Sequence, residues 1–245
     1  MSQTAQVKNV VLVHGAFADG SSWSKVVPLL QAKRFTVTTV QNPLTSFKDD
    51  VDATNRAIAA QDGPVILVGH SYGGIVITEA GNDPKVVGLV YVAAFAPDAG
   101  QSIVDISKDY PKPIGLEKLV PQADGFLLLS QDGIETAFAQ DLSTEEQARL
   151  TAVQPQTHGS IFVAQPTQAA WRSKPSWYIV AMNDHMIAPE QESHMASRIG
   201  ATTTTLSSSH VAMLSHPQEV ATVIEEAAAR AQIDLATHYE HEEKL

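Results

Sequence analysis

Val65-Ile66-Leu67-Val68-Gly69-His70-Ser71-Tyr72-Gly73-Gly74 is the stretch from which the rest of the chain is read. Four consecutive branched apolar residues, led in by Gly63-Pro64, predict a strand covered on both faces, as in a parallel sheet. The chain must then turn sharply. Gly69, Gly73 and Gly74 remove side chains where a strand-to-helix corner is most crowded, and they leave Ser71 at its tip. This is the G-x-S-x-G pattern of a nucleophile elbow, in which the serine hydroxyl projects beyond the sheet and the next helix N-terminus favours developing negative charge. The pattern is short and unrelated chains match it by chance, so its setting carries the weight: a strand before it, and the helix-compatible run Ile75-Val76-Ile77-Thr78-Glu79-Ala80 after it. A glycine-rich turn with an incidental serine is the plain alternative. A phosphate-binding loop fits less well, because no Lys-Ser or Lys-Thr pair follows the glycines and the three-glycine dinucleotide spacing is missing.

Outward from the elbow, the same alternation repeats. Strands are predicted at 10–13, 35–40, 86–92, 177–181 and 202–206, and helices at 24–32, 49–60, 189–199 and 217–231, with Asn82-Asp83-Pro84 ending the elbow helix. Strand alternating with helix implies right-handed crossovers that build a mostly parallel six-stranded sheet with helices on both faces. Between 98 and 170 the rhythm stops. That segment holds scattered prolines, the apolar run Phe126-Leu127-Leu128-Leu129, and a helix near 144–151 whose entry, Ser143 followed by Glu146, has the form of a capping box. The expected organisation is an α/β core from 1–97 and 171–245 with an inserted cap at 98–170. The charged tail 237–245 reads as a fraying helix end.

The 245 residues suffice for one large domain or a domain with an insertion. A formal net charge of −11 disfavours nucleic acid and anionic membrane surfaces as partners. The absence of cysteine excludes disulfides, thiolate metal sites and a cysteine nucleophile. The first eight residues lack the charged start and apolar run of a secretion signal, and no stretch approaches the ~20 apolar residues of a membrane span, so the cytoplasm is the default location.

A serine hydroxyl at neutral pH is a poor nucleophile, so Ser71 calls for a base to take its proton and an acid to orient that base. Both are expected after the serine, acid first, in loops at the carboxyl ends of late strands. The fifth strand runs into Asn183-Asp184, which makes Asp184 the acid, although Asn-Asp before a helix is also ordinary cap chemistry. The sixth runs into Ser207-Ser208-Ser209-His210, which makes His210 the base ahead of His216, where Ser-His-Pro leads into the last helix. His14 lies beside the loop after the first strand, and His185 follows the acid too closely. For the oxyanion formed at Ser71, the expected donors are the backbone N–H groups of Tyr72 and Ala16. His238 and His241, among glutamates, suit a solvated tail better than a metal site, and with no H-E-x-x-H or similar ligand set no metal is expected.

His14-Gly15-Ala16 with Trp23 and Pro28-Leu29-Leu30, Gly69-His70-Ser71-Tyr72-Gly73-Gly74, Asn183-Asp184 and His210 together resemble the small α/β-hydrolases that include plant methyl salicylate esterases and hydroxynitrile lyases. The resemblance covers both ends of the chain and is weak over the cap. It implies an α/β-hydrolase fold with a six-stranded core, a Ser-His-Asp triad, no cofactor, a buried pocket beneath the cap and a possible homodimer. The lyases of this group carry a lysine directly after the catalytic histidine and a threonine in the loop after His-Gly; here those places hold Val211 and Ala16-Phe17. Hydrolysis of a small carboxylic ester is therefore the favoured expectation. Hydroxynitrile-lyase-like activity, cofactor-free perhydrolysis and a slow-turnover ligand receptor on the same scaffold are the alternatives. Phe17, Phe95, Tyr110, Phe126, Phe138, Phe162 and Trp171 are candidates to line an apolar pocket. Phe17 and Trp171, with His70 beside the nucleophile, are taken as substrate contacts.

Overall fold

β-Branched and small residues fill the strands. A computed structural model describes residues 6–242, with side chains through residue 237, and contains nine strands. They are β1 (Asn9–Val13), β2 (Thr36–Val40), β3 (Val65–Ser71), β4 (Val86–Ala94), β5 (Leu119–Pro121), β6 (Phe126–Leu129), β7 (Thr157–His158), β8 (Ser176–Ala181) and β9 (Thr202–Leu206). Six form one parallel sheet in the order β2-β1-β3-β4-β8-β9. Every residue of β1, β3 and β8 is buried, which matches the apolar runs 10–13, 65–68 and 177–181 within them. The edge strand β9 is Thr202-Thr203-Thr204-Thr205-Leu206, whose side chains combine β-branching for the pleat with hydroxyls for solvent.

The strand order reverses between β1 and β3. The chain moves from β1 outward to β2, then crosses back to β3 on the other side of β1. Right-handed crossovers running in opposite directions place α1 (Val27–Ala32) and α2 (Phe47–Ala59) on opposite faces. α2 packs beside α3 (Gly73–Ala80), and α1 beside the C-terminal helix Pro217–Glu242. Such a reversal leaves a crevice at the carboxyl ends of the strands. Register fixes what surrounds it: Val13 pairs with Gly69, Ser71 with Ala94, and Ala181 with Leu206. The loops after β1, β3, β4, β8 and β9 therefore emerge at one rim.

Between β4 and β8 the chain leaves the main sheet. This segment contains α4 (Ile103–Ser107), a small antiparallel sheet in the order β5-β6-β7, and the helix Thr144–Val153, opened by the capping box of Ser143 and Glu146. The run 126–129 is thus a strand of four residues paired on both sides, too short for any periodicity to show. The C-terminal helix runs to Glu242, beyond the predicted end at 231, since no Gly or Pro interrupts the Ala-, Glu- and Gln-bearing stretch. The tail 237–245 is helical through 242; its last three residues, and the side chains of His238 and His241, lie outside the described residues. No described helix is long and apolar enough to cross a membrane.

Candidate active site

The elbow is a strained turn held by close packing. Ser71 sits at φ +53°, in the left-handed region that costs a side-chain-bearing residue about 1–2 kcal/mol. The turn is tight enough that a Cβ on Gly69 would lie 2.6 Å from the Gly73 carbonyl oxygen, and one on Gly73 would lie 2.5 Å from that of Val13. From beside the elbow, the buried Tyr72 side chain donates its hydroxyl to Asp50 Oδ2 at 2.6 Å, and Asp50 Oδ1 accepts the Leu44 N–H at 2.8 Å. Burial pushes the Asp50 carboxyl up to about 6, against the opposing pull of those two donors. Behind the serine, its carbonyl accepts the Phe95 N–H at 3.1 Å.

Asp184 and His210 are brought together by β8 and β9. Both are buried, and Asp184 Oδ2 lies 2.5 Å from His210 Nδ1. The other carboxylate oxygen accepts the N–H groups of Met186 at 2.6 Å and Ile187 at 3.0 Å, so the acid is anchored by the turn that follows it. The segment between β4 and β8 braces both loops. Asp141 accepts the Ser209 N–H at 2.8 Å, Gln140 donates to the Asn183 carbonyl at 2.6 Å, and the Gly115 N–H donates to the His185 carbonyl at 2.9 Å.

Ser71, Ala16, Tyr72 and His210 all line one cavity of about 470 Å³. Among the described residues, the backbone N–H groups of Ala16 and Tyr72 donate to no protein atom, whereas that of Phe17 is taken by Thr157 Oγ1 at 3.2 Å. Phe17, itself at φ +57°, presents its ring to the cavity and stacks on Phe162 at 6.4 Å. His14 holds this loop in place: its Nε2 accepts the Asn42 N–H at 2.9 Å, which leaves the proton on Nδ1 for the Gly15 carbonyl at 2.8 Å. Burial lowers its pKa and keeps it neutral.

Of the expected aromatic lining, Phe17, Phe95, Tyr110, Phe138 and Phe162 face the cavity; Phe126 and Trp171 do not. Two proposed substrate contacts are corrected. His70 is fully buried outside the cavity wall, with Nε2 donating to the His210 carbonyl at 2.8 Å, because an elbow turns the residue before its tip back into the protein. It supports the His210 backbone, and burial holds its pKa well below the ordinary histidine value. Trp171 donates its indole N–H to the Pro97 carbonyl at 2.9 Å and lies beneath the guanidinium groups of Arg172 and Arg198. His185 is exposed and reaches the Thr136 carbonyl, while His216 meets the Ser215 hydroxyl. Among the described residues no cluster of three or more His, Asp or Glu side chains could hold a metal.

Sequence reasoning missed three polar supports: Asp50 beneath Tyr72, Asp141 at Ser209, and Glu192, a fully buried acid on the helix Pro189–Arg198. Asp50 and Glu192 sit on helices where an acid ordinarily faces water, and nothing local marks them as buried. It also missed the aliphatic wall supplied by Ile103, Val104, Leu116, Leu119 and Ile187.

A parallel sheet that reverses at β1 and β3, with a serine elbow and a buried Asp-His pair at its carboxyl rim, defines the α/β-hydrolase class. Residues 10–223 match the alpha/beta hydrolase family, and the chain belongs to that family. It is 26% identical over 241 residues to a probable hydrolase from a Phoma species, covering 89% of this chain and 97% of that one. It is 24% identical over 224 residues to methylesterase 2 of Arabidopsis thaliana, covering 80% and 85% respectively. In three dimensions it is similar to the crystal structure of polyneuridine aldehyde esterase, with a TM-score of 0.76, 22% identity and coverage of 90% of this chain and 99% of that one. At that identity the structural likeness speaks to the fold.

Proposed function

We propose that the chain is a carboxylic ester hydrolase that cleaves a small ester through Ser71, His210 and Asp184 by way of an acyl-enzyme. The observation that carries this reading is the buried 2.5 Å contact between Asp184 and His210, set on the same cavity as a serine at φ +53°. His210 Nε2 takes the Ser71 proton as Oγ attacks the ester carbonyl, and the Asp184 carboxylate stabilises the imidazolium that forms. The N–H groups of Ala16 and Tyr72, unengaged in the protein, receive the oxyanion. His210 then protonates the leaving alcohol, and water repeats the sequence on the acyl-enzyme. No hydrogen bond joins Ser71 Oγ to His210 among the described residues; such bonds tighten once substrate is bound. Esterase names among the relatives agree with this chemistry, and the residues between β4 and β8 act as a cap whose apolar wall suits an uncharged acyl or aryl group.

Steady-state hydrolysis of p-nitrophenyl acetate tests the assignment. Ser71→Ala and His210→Ala each lower kcat by roughly 10⁴-fold or more with an unchanged circular dichroism spectrum. A Ser71→Ala protein that keeps most of its turnover would end this reading.

A further inference from the structure

Glu192 is an acid closed off from bulk solvent. Its side chain is 0% exposed, and its Oε2 accepts the N–H of Ala181, the last residue of β8, at 2.9 Å. Oε1 is equally buried and meets no N–H or O–H donor among the described residues. The carboxyl group that neighbours the Glu192 side chain, within hydrogen-bonding reach, is that of Asp184. Two carboxyl groups shut together away from water cannot both be ionised, since each charge lacks solvation and repels the other. The donors decide which one keeps its charge. Asp184 receives two backbone N–H groups and the His210 imidazole, whereas Glu192 receives one N–H.

We infer that Glu192 is held as a neutral carboxylic acid whose proton, on Oε1, is donated to the Asp184 carboxylate, making Glu192 a positioning residue for the Asp184–His210 pair. The positioning role rests on the proposed roles of Asp184 and His210; the protonation state does not. Burial and the Asp184 charge both lift the Glu192 carboxyl well above the ordinary glutamate range, in keeping with this assignment. The added donor completes the hydrogen bonding of Asp184, fixes its orientation, and lowers its basicity so that the shared proton stays on His210 Nδ1. The other ionisable groups around the pair are otherwise engaged. Tyr178, which faces Glu192 from β8, exchanges hydrogen bonds with the Ala94 backbone; the neutral His70 ring stands 4.7 Å from that of His210; and Asp141 is bound to the Ser209 N–H.

Two substitutions in the full chain separate the possibilities. Glu192→Gln keeps a donor toward Asp184 and an acceptor for Ala181 but cannot ionise. Glu192→Met keeps the volume and offers neither. The first readout is the NMR titration of the His210 ring, which needs no turnover. In Glu192→Met, Asp184 becomes more basic, the imidazolium is better stabilised, and the His210 pKa rises by about one unit; kcat falls roughly ten- to a hundred-fold with KM little changed. Glu192→Gln restores both toward the wild-type values. Were Glu192 ionised, Glu192→Gln would remove a negative charge near the imidazole and lower the His210 pKa, and that result overturns the inference. So does a Glu192→Met protein that titrates and turns over like the wild type. Should Glu192→Met fail to fold, infrared difference spectra against Glu192→Gln decide: the wild type at neutral pH must show a protonated-carboxyl C=O band that the variant lacks, and its absence refutes the assignment. An inactive protein that still shows the band and the titration would refute the ester-hydrolase reading alone.

Discussion

β3 and the segment between β4 and β8 both line the cavity, yet they are built on different terms. All seven residues of β3 are buried, it is paired on both sides, and its end turns through glycines packed against backbone. The segment between β4 and β8 has strands of two to four residues and carries most of the large exposed hydrophobic side chains among the described residues, Val104, Ile114, Leu116, Val120, Val153 and Val163. Val104 and Leu116 line the cavity while remaining 53% and 38% exposed. A wall set inside a close-packed sheet has no freedom to change shape, because each atom already has neighbours. A wall set in half-covered turns can change its side chains at little cost to the fold. The rim that holds Ser71 is thus rigid, and the rest of the cavity wall is adjustable.

The sharpest test of this contrast is a methyl group placed in each region. A Cβ on Gly74 runs into the carbonyl oxygen of Phe95, with Ala94 Cβ and Phe95 N also within 3.0 Å, and backbone cannot step aside. Gly74→Ala is expected to lose more than about 3 kcal/mol of stability in urea unfolding and most of its activity with it.

The elbow brace gives the next effect, and its sign follows from the Asp50 carboxyl being raised from 3.8 to about 6. The folded state then binds that proton more tightly than the unfolded chain, so the associated stability is complete below pH 4, declines as pH rises through 6, and is flat above. Relative to Asp50→Asn, which cannot titrate, the wild type should lose up to about 3 kcal/mol between pH 4 and pH 7. Urea unfolding of both proteins across that range measures it; parallel curves would mean that Asp50 is not buried as described.

Between β4 and β8 the effects shrink. Gly100 lies at φ +75° with nothing within 4 Å of the place a methyl group would take, so Gly100→Ala meets only backbone strain of about 1 kcal/mol. Val104→Ser should change stability by less than about 0.5 kcal/mol while altering KM severalfold between short and long acyl esters. Equal losses at Gly74 and Gly100 would erase the distinction between the two walls.

The main sheet was legible because its inner strands are built on apolar runs and its edge strands on β-branched valine and threonine, each five to nine residues long and separated by helices with ordinary signals. The elbow was legible because only a tight strand-to-helix turn needs glycine before and after a serine at those spacings. Asp184 and His210 were found by order along the chain, and the structure brings their side chains together. His70 and Trp171 were misread because adjacency in sequence and aromatic character do not specify which way a side chain faces. Glu192, Asp50 and Asp141 escaped notice because each lies on a segment whose local pattern is that of an exposed acid.

Local residue pattern alone determined which segments become the strands of the main sheet and the helices between them, and which serine stands at the turn, since period and glycine placement act over a few bonds. Only the tertiary structure decided what surrounds that serine: the pairing of Val13 with Gly69 and of Ala181 with Leu206, the cavity wall supplied between β4 and β8, and a carboxyl group enclosed beside Asp184. Burial and the company a charge keeps are set by residues far apart in the chain, and no short window of sequence contains them.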